Sequence, residues 1–99
     1  MTINQYVQKY LNRDKIPPVI CADGFHMSVG VGVFYFSRPR NCDAEEYTHM
    51  GIEFPSDADP LILEYAYDKD HPTETFYIYV PVDLIDAVIA KHGGARHEN

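Results

Sequence analysis

The chain has 99 residues, of which 45% are hydrophobic and 13% aromatic, and its formal charge is -7. This length excludes a two-domain enzyme, because one core organises roughly 100 to 150 residues, and the apolar content excludes disorder throughout. No apolar run reaches the roughly 18 residues that cross a bilayer, and signal-peptide features are lacking. We therefore expect a single soluble, cytoplasmic domain over residues 1–93 and a flexible tail over 94–99 with nothing to pack against.

The charge is unevenly distributed along the chain. Residues 1–40 contain two acidic and five basic side chains, whereas residues 41–75 contain ten acidic ones and the single base Lys69, a balance of -9. Proteins bind nucleic acids and anionic membranes through lysine and arginine side chains, so an excess of acidic residues makes direct binding to either unexpected. The carboxylates favour a protein partner with a basic surface. The alternative is that the acidic surface only keeps the protein soluble.

In chain order, the first predicted element is a short amphipathic helix. Thr2 and Gln5 match a capping box, in which each side chain accepts a hydrogen bond from the other residue's backbone amide. The apolar stripe that follows has the helical spacing i, i+3, i+4, i+7 and i+8 and consists of Ile3, Tyr6, Val7, Tyr10 and Leu11. The helix should end near residues 12–14, before Pro17.

A hairpin should follow this helix. Residues 19–22 form a short strand, and Asp23-Gly24 predicts a type I′ turn with positive φ at both residues. The return strand alternates between apolar and small or polar residues over 25–35. Gly30 and Gly32 within it predict a bulge, a sharp bend or a close approach of another segment.

Three further strands and a second helix complete the prediction. The strands cover residues 47–54, 61–67 and 76–80, with acidic loops between them. The helix covers residues 82–92 and ends at Gly93, which suits a left-handed cap. This order predicts an α+β domain with an N-terminal helix, an antiparallel sheet of four to five strands and a C-terminal helix.

Tyrosines are placed where they can line the outer face of this sheet. Tyr77 and Tyr79 share one face of the last strand, opposite Phe76, and Tyr65 and Tyr67 share one face of the strand before it. If the core takes the Phe76 face, the tyrosines point outward. They then form an interface or serve as ordinary strand formers on a half-exposed sheet.

No motif predicts catalysis, a metal or a cofactor. Cys21 and Cys42 lack zinc-type spacing, and we expect two free thiols. His26 and His49 are candidates for a metal-binding or titrating pair across the sheet, and Cys21 with His26 for a nucleophile and base, but structural thiols and surface histidines explain them as well. The acidic loops lack the glycine and distal glutamate of a calcium loop. We therefore expect a protein that is not an enzyme.

Three segments carry a resemblance to a known group of proteins. They are PPVICADGF at residues 17–25, FPS at 54–56, and residues 79–94, which begin with YVPVD and end with HGG. In these segments the chain resembles small acidic proteins encoded by tailed bacteriophages and prophages. Such phage accessory proteins include inhibitors of host defences, among them anti-CRISPR proteins, so the resemblance implies a role in the cytoplasm of an infected cell.

These features lead to one main hypothesis, a non-enzymatic phage protein that blocks a basic surface on a host nucleic-acid-handling complex, with a CRISPR effector as the first choice. Outward carboxylates can mimic phosphates, because arginine and lysine bind both, and an aromatic side chain would anchor the contact. The residues predicted to contact the partner are Asp57, Asp59, Glu64, Tyr65, Tyr67, Asp68, Asp70 and Glu74. The alternative is a homodimeric structural or assembly protein that pairs through an edge strand or the tyrosine face.

Overall fold

The computed structural model describes residues 1–11 and 15–96, and these residues form an α+β domain. Its elements are α1 (Ile3–Gln8), β1 (Val19–Ile20), β2 (His26–Gly30), β3 (His49–Glu53), β4 (Phe76–Pro81) and α2 (Val82–Lys91). The strands form one antiparallel sheet in the order β1-β2-β3-β4. The predicted fold class is confirmed, with four strands. Within the described ranges, no helix combines the length and hydropathy needed to span a bilayer.

The capping box predicted for α1 is present. Thr2 Oγ1 accepts a hydrogen bond from the Gln5 amide at 3.2 Å, and Gln5 Oε1 accepts one from the Thr2 amide at 2.8 Å. The helix ends at Gln8, earlier than predicted, and continues as a turn through Leu11. The predicted end at residues 12–14 lies outside the described residues. The Ile3 amide donates to Asp86 Oδ1 at 2.8 Å, which ties α1 to α2.

The hairpin between β1 and β2 forms where it was predicted, but the turn type was wrong. The Gly24 amide donates to Cys21 O at 3.0 Å, and Gly24, with φ +97°, is the residue of the pair that has positive φ. Asp23 Oδ1 accepts the Phe25 amide at 2.9 Å, a local hydrogen bond that holds the turn. The hairpin therefore has a turn closed by a left-handed glycine, where type I′ would need two positive φ angles.

The segment predicted as a strand over residues 61–67 is instead a single 3-10 turn at Leu63–Tyr65, which is why the sheet has four strands. Asp59 starts this turn, because its Oδ1 accepts the Leu61 amide at 2.9 Å and its backbone oxygen accepts two further amides. The fully buried side chains are Ile62 and Ala66, which lie four residues apart. Residues four apart lie on the same face of a helix. Because four is an even number, they also lie on the same face of a strand, so the pattern was read as a strand.

A bulge in β4 places Tyr77 and Tyr79 on opposite faces of the sheet, although the sequence predicted both on one face. Met50 pairs with Val80 and Ile52 pairs with Tyr77, so two residue steps along β3 lie opposite three residue steps along β4. Tyr79 takes the extra position with φ +49°. Tyr77 and Val80 consequently both enter the core, with exposures of 1% and 0%. The prediction that Tyr77 lies on the outer face is wrong, and Phe76 takes that face with Tyr79.

The inward faces of α1 and α2 share one core with the inner face of the sheet. The largest fully buried side chains in it come from every layer and include Ile3, Val7, Met27, Met50, Ile52, Tyr77, Val80, Ile85 and Val88. The opposite face of β2, β3 and β4 is not covered by either helix. The segment 31–37 lies against part of it, because the Tyr35 ring packs over Gly30 and Gly51.

The segment after α2 also packs, which differs from the expectation for residues 94–99. Gly93 has φ +92° and forms the predicted left-handed end. Gly94 O accepts the Ala22 amide at 2.9 Å, and Ala95 forms a bridge to Cys21 and packs against the core. Residues 94–96 therefore complete the edge beside β1, and residues 97–99 lie outside the described part of the chain.

Candidate functional site

Three of the predicted carboxylates and one predicted tyrosine lie together on the loop before β4. Asp68, Asp70 and Glu74 are exposed, and Tyr67, which precedes them, is 70% exposed. We call residues 67–74 the acidic loop. Its acidic side chains surround His71, which contacts Asp68 directly and feels the charges of Asp70 and Glu74.

The acidic loop is braced by its own hydrogen bonds. Asp68 accepts the Asp70 amide at 3.1 Å through Oδ1 and contacts His71 Nδ1 at 2.9 Å through Oδ2. The hydrogen bond to Asp68 raises the pKa of His71, and the same contact lowers the pKa of Asp68. Tyr77, which is anchored in the core, donates its hydroxyl to Pro72 O at 2.8 Å. These contacts hold the backbone of the loop and the Asp68 carboxylate in place before any partner arrives, which reduces the ordering cost of binding.

Asp59, a predicted contact residue, is an internal group. Its exposure is 1%, and its carboxylate contacts Lys91 Nζ at 3.3 Å and His92 Nε2 at 3.0 Å. Burial alone would raise the pKa of Asp59, but hydrogen bonds from the Leu61 amide, His92 and Lys91 outweigh it and hold that pKa below its usual value. Asp59 therefore fastens α2 to the loop before the 3-10 turn, and its assignment as a partner-binding residue is wrong.

The other predicted contact residues are spread over the neighbouring surface. Asp57 lines a small hollow of about 300 Å³ with Asp23 and His92. Glu64 is exposed on the 3-10 turn, and Tyr65 is half-buried against the core. The predicted set therefore does not form one patch centred on all six carboxylates, and the part that stands together is the acidic loop with Tyr67.

A continuous row of aromatic rings starts at Tyr67 and crosses the open face of the sheet. Tyr67 stacks on Phe76 at a centroid distance of 4.8 Å, and Phe76 stacks on Phe36 at 5.9 Å. Phe36 then meets the edge of Tyr79 at 5.7 Å. We call these four residues the aromatic row. Stacked and edge-to-face pairs at such distances stabilise each other, so the row is a preformed surface.

Two arginines lie on the half of the aromatic row that is farther from Tyr67. The Arg38 guanidinium lies 4.4 Å from the Tyr79 ring centroid, and that of Arg40 lies 4.9 Å from the Phe36 centroid. Both distances are within the range of a cation-π contact. The backbone of Arg38 also forms an isolated β-bridge with that of His49, the first residue of β3. The row therefore has a basic end at Arg38 and Arg40 and an acidic end at the acidic loop.

Phe34 projects from the turn above the row and is 94% exposed. The turn is built to hold it there, because Gly32 has φ +113° and Ser37 Oγ accepts the Gly32 amide at 3.0 Å while donating to Pro39 O. Phe34 borders a hollow of about 450 Å³ whose walls include Phe36 and Phe76. An exposed phenylalanine forgoes roughly 1.5 to 3 kcal/mol of burial, and an exposed apolar patch of this kind is typical of an interaction site.

The remaining histidine and cysteine candidates do not form a reactive centre. Ser28 pairs with Glu53 and Gly30 with Gly51, so His26 and His49 lie at opposite ends of the β2–β3 ladder. Over residues 1–11 and 15–96, no three His, Cys, Asp or Glu side chains are grouped as metal ligands. Cys21 is fully buried, and its burial raises the thiol pKa, which disfavours the thiolate needed for attack. Both cysteines are free, as predicted.

His92 is held between two carboxylates and stacks on Phe25. Its Nδ1 lies 2.6 Å from Asp23 Oδ2, its Nε2 lies 3.0 Å from Asp59 Oδ2, and the two rings are 4.1 Å apart. The hydrogen bond to Asp23 and the contact with Asp59 raise the pKa of His92 against the opposing effect of burial. With both ring nitrogens directed at carboxylates, neither is available to take a proton from a substrate, so this arrangement is a structural clamp.

The sequence predicted the exposed carboxylates of the acidic loop and named Tyr67 and Tyr79 as outward-facing candidates, but it did not place Phe36 or Phe76 beside them. It did not connect Phe34 or Phe36 with Arg38 and Arg40, although the sequence VFYFSRPR carries these four residues within eight positions. An aromatic run followed directly by two arginines was the available signal, since aromatic residues and arginine are enriched at interfaces. No protein-family model matches the chain, and no curated protein or solved structure shows significant similarity to it.

Proposed function

We propose that this chain is a non-enzymatic binding protein of phage origin that blocks a basic surface on a host nucleic-acid-handling complex. The observation that carries the proposal is the position of Tyr67, 70% exposed and stacked on Phe76, next to the exposed carboxylates of the acidic loop. An aromatic anchor beside charges is the combination that gives a protein interface both affinity and orientation.

The chemistry of the acidic loop favours a cationic protein over nucleic acid. Asp70 and Glu74 are exposed, and Asp68 turns one oxygen towards His71. Arginine and lysine side chains that normally hold phosphates would bind these carboxylates with the same donors. The overall charge of -7 repels nucleic acid from the rest of the surface.

A CRISPR effector bound to its guide RNA is the partner class that the phage resemblance implies. Its target-DNA channel is lined by basic side chains that track a phosphate backbone. A small rigid protein seated there excludes DNA without any chemical step. The proposal therefore needs neither a catalytic residue nor a cofactor.

The test measures target-DNA binding and cleavage by a panel of purified effector–guide RNA complexes with increasing amounts of this protein. The wild type should inhibit at least one complex. The variant Asp70→Lys/Glu74→Lys should inhibit at least about tenfold more weakly, because reversing charges within a desolvated contact costs 2 kcal/mol or more.

The matched control is Glu45→Lys/Glu46→Lys, which changes the net charge by the same amount on a different loop, where both side chains are exposed. This control should inhibit like the wild type. If the acidic-loop variant inhibits as well as the wild type, or if both variants lose inhibition to the same extent, the acidic loop is not the contact that inhibits the effector. Failure of the wild type on every complex would overturn the choice of partner class.

A further inference from the structure

We propose that the aromatic row is also the contact surface for a second copy of this chain, in a twofold face-to-face dimer. The observation behind this is a charge arrangement that complements itself, and it is independent of the host partner proposed above. The occupant is a second copy because a single chain carries both halves of the charge match, the acidic loop beside Tyr67 and the arginines on Phe36 and Tyr79.

The two ends of the row lie at opposite ends of β4. The acidic loop leads directly into Phe76, whereas Arg38 bridges His49, which pairs with Pro81. Five residue steps of strand separate Phe76 from Pro81, which is about 16 Å at roughly 3.3 Å per step. The acidic loop and the arginines are thus held apart, near opposite ends of β4.

A twofold axis through the middle of the row would bring each acidic end over the basic end of the other copy. Such an isologous contact uses the same patch on both chains and closes after two copies. Arg38 and Arg40 of each copy would then face Asp70 and Glu74 of the other. The rings between them would exclude water, and charge pairs beside a dry aromatic centre are less screened than exposed ones.

Phe34 fits the same arrangement. It stands at the rim of the hollow of about 450 Å³ that Phe36 and Phe76 help to form, and it is 94% exposed. In the proposed dimer, Phe34 of one copy would face the hollow of the other. A twofold dimer would therefore bury the exposed Phe34 side chains of both copies at once.

The charge of -7 on each chain opposes association, but only weakly at short range. At physiological ionic strength the Debye length is about 8 Å, so charges on the far sides of the two chains are screened from each other. The arginine–carboxylate pairs at the two ends of the row would lie within that distance, so they would be screened less. The dimer and the complex with a host protein would both use the acidic loop, so the two states compete.

Sedimentation velocity of the purified full chain over a range of concentrations tests the proposal. The wild type should shift from 11.3 kDa towards twice that mass as concentration rises. Phe34→Ala should raise the dimer dissociation constant at least about tenfold. A wild type that remains monomeric up to about 1 mM, which is the weak limit of a specific contact, would overturn the proposal.

A charge swap makes the test specific for the twofold geometry. Arg38→Glu/Arg40→Glu and Asp70→Lys/Glu74→Lys should each abolish the homodimer, because like charges would then meet at both ends. A mixture of the two variants should form a heterodimer, since every contact again joins opposite charges. Circular dichroism confirms that each variant is folded, and failure of the mixture to associate contradicts the geometry.

The same variants separate this proposal from the inhibitory function. Arg38→Glu/Arg40→Glu retains the acidic loop, so it should lose the dimer and still inhibit the effector. If it dimerises like the wild type, the dimer proposal fails and the proposed function stands. Glu45→Lys/Glu46→Lys keeps both ends of the aromatic row, so it should form the homodimer like the wild type, because residues 45 and 46 lie outside the aromatic row.

Discussion

Nε2 of His92 lies 3.0 Å from Oδ2 of the buried Asp59, at the point where the last turn of α2 meets the loop before the 3-10 turn. The second ring nitrogen of His92 contacts Asp23 in the β1–β2 hairpin at 2.6 Å. One imidazole therefore joins three segments that are far apart in the sequence. Lys91 adds a second cation to Asp59 at 3.3 Å.

This clamp predicts that stability depends on pH through His92. The pKa of His92 is raised above its ordinary value of about 6.5, so its contribution is fully present below pH 6.5 and is lost as the pH rises through the folded-state pKa. The pKa values of Asp23 and Asp59 are lowered, so their contribution is present above about pH 3.9 and is lost as the pH falls through the folded-state values. Stability should be highest between these two limits.

Urea unfolding at pH 6 and pH 8.5 checks the alkaline limit. The wild type should be less stable at pH 8.5, and His92→Gln should remove most of this difference. His71→Gln is the matched control, because His71 is exposed and its pKa is also raised. If His71→Gln removes the difference and His92→Gln leaves it, the clamp does not control the pH dependence.

A second prediction separates Asp59 from its neighbour Asp57. Asp59→Asn keeps the shape of the side chain but removes the charge that faces Lys91 and His92, and it should lower the free energy of unfolding by about 2 kcal/mol. Asp57→Asn changes an exposed side chain and should stay within about 0.5 kcal/mol of the wild type. Similar urea midpoints for the two variants would contradict the internal role of Asp59.

The close approach of Tyr35 to Gly30 gives a third prediction. A Cβ at residue 30 would lie 2.2 Å from ring atoms of Tyr35, so Gly30→Ala should destabilise the fold by about 1 to 3 kcal/mol through overpacking. The cost should largely disappear in a Tyr35→Ala background, which a double-mutant cycle measures. An equal cost in both backgrounds would mean that the ring is not what excludes a side chain at Gly30.

The fourth prediction concerns the thiols. Cys42 is exposed, whereas Cys21 is fully buried with a raised pKa. A disulfide reagent should therefore modify one thiol in the native protein and the second only after unfolding. Mass spectrometry of a digest should place the fast modification at Cys42, and rapid reaction of Cys21 would contradict its burial.

The parts of the fold that follow local rules could be predicted from the sequence. The capping box at Thr2, the left-handed glycine at Gly93 and the bend at Gly32 each depend on a residue and its near neighbours. They appear where the pattern placed them. The α+β class follows from the order of these elements.

The errors arose where distant contacts decide the outcome. The bulge at Tyr79 changes which face of β4 is buried, and its cause is the pairing with β3. Asp59 looked like an exposed loop residue because its partners Lys91 and His92 lie more than thirty positions away. The aromatic row combines residues from three segments, so the acidic loop was predicted without the rings that extend it.

Hydrogen exchange on the protein bound to an inhibited effector–guide RNA complex tests the central claim most directly. The proposed contact predicts that binding slows amide exchange in the acidic loop, residues 67–74, and leaves the loop around Glu45 and Glu46 unchanged. Protection confined to residues 41–46, with the acidic loop exchanging as in the isolated chain, would contradict it.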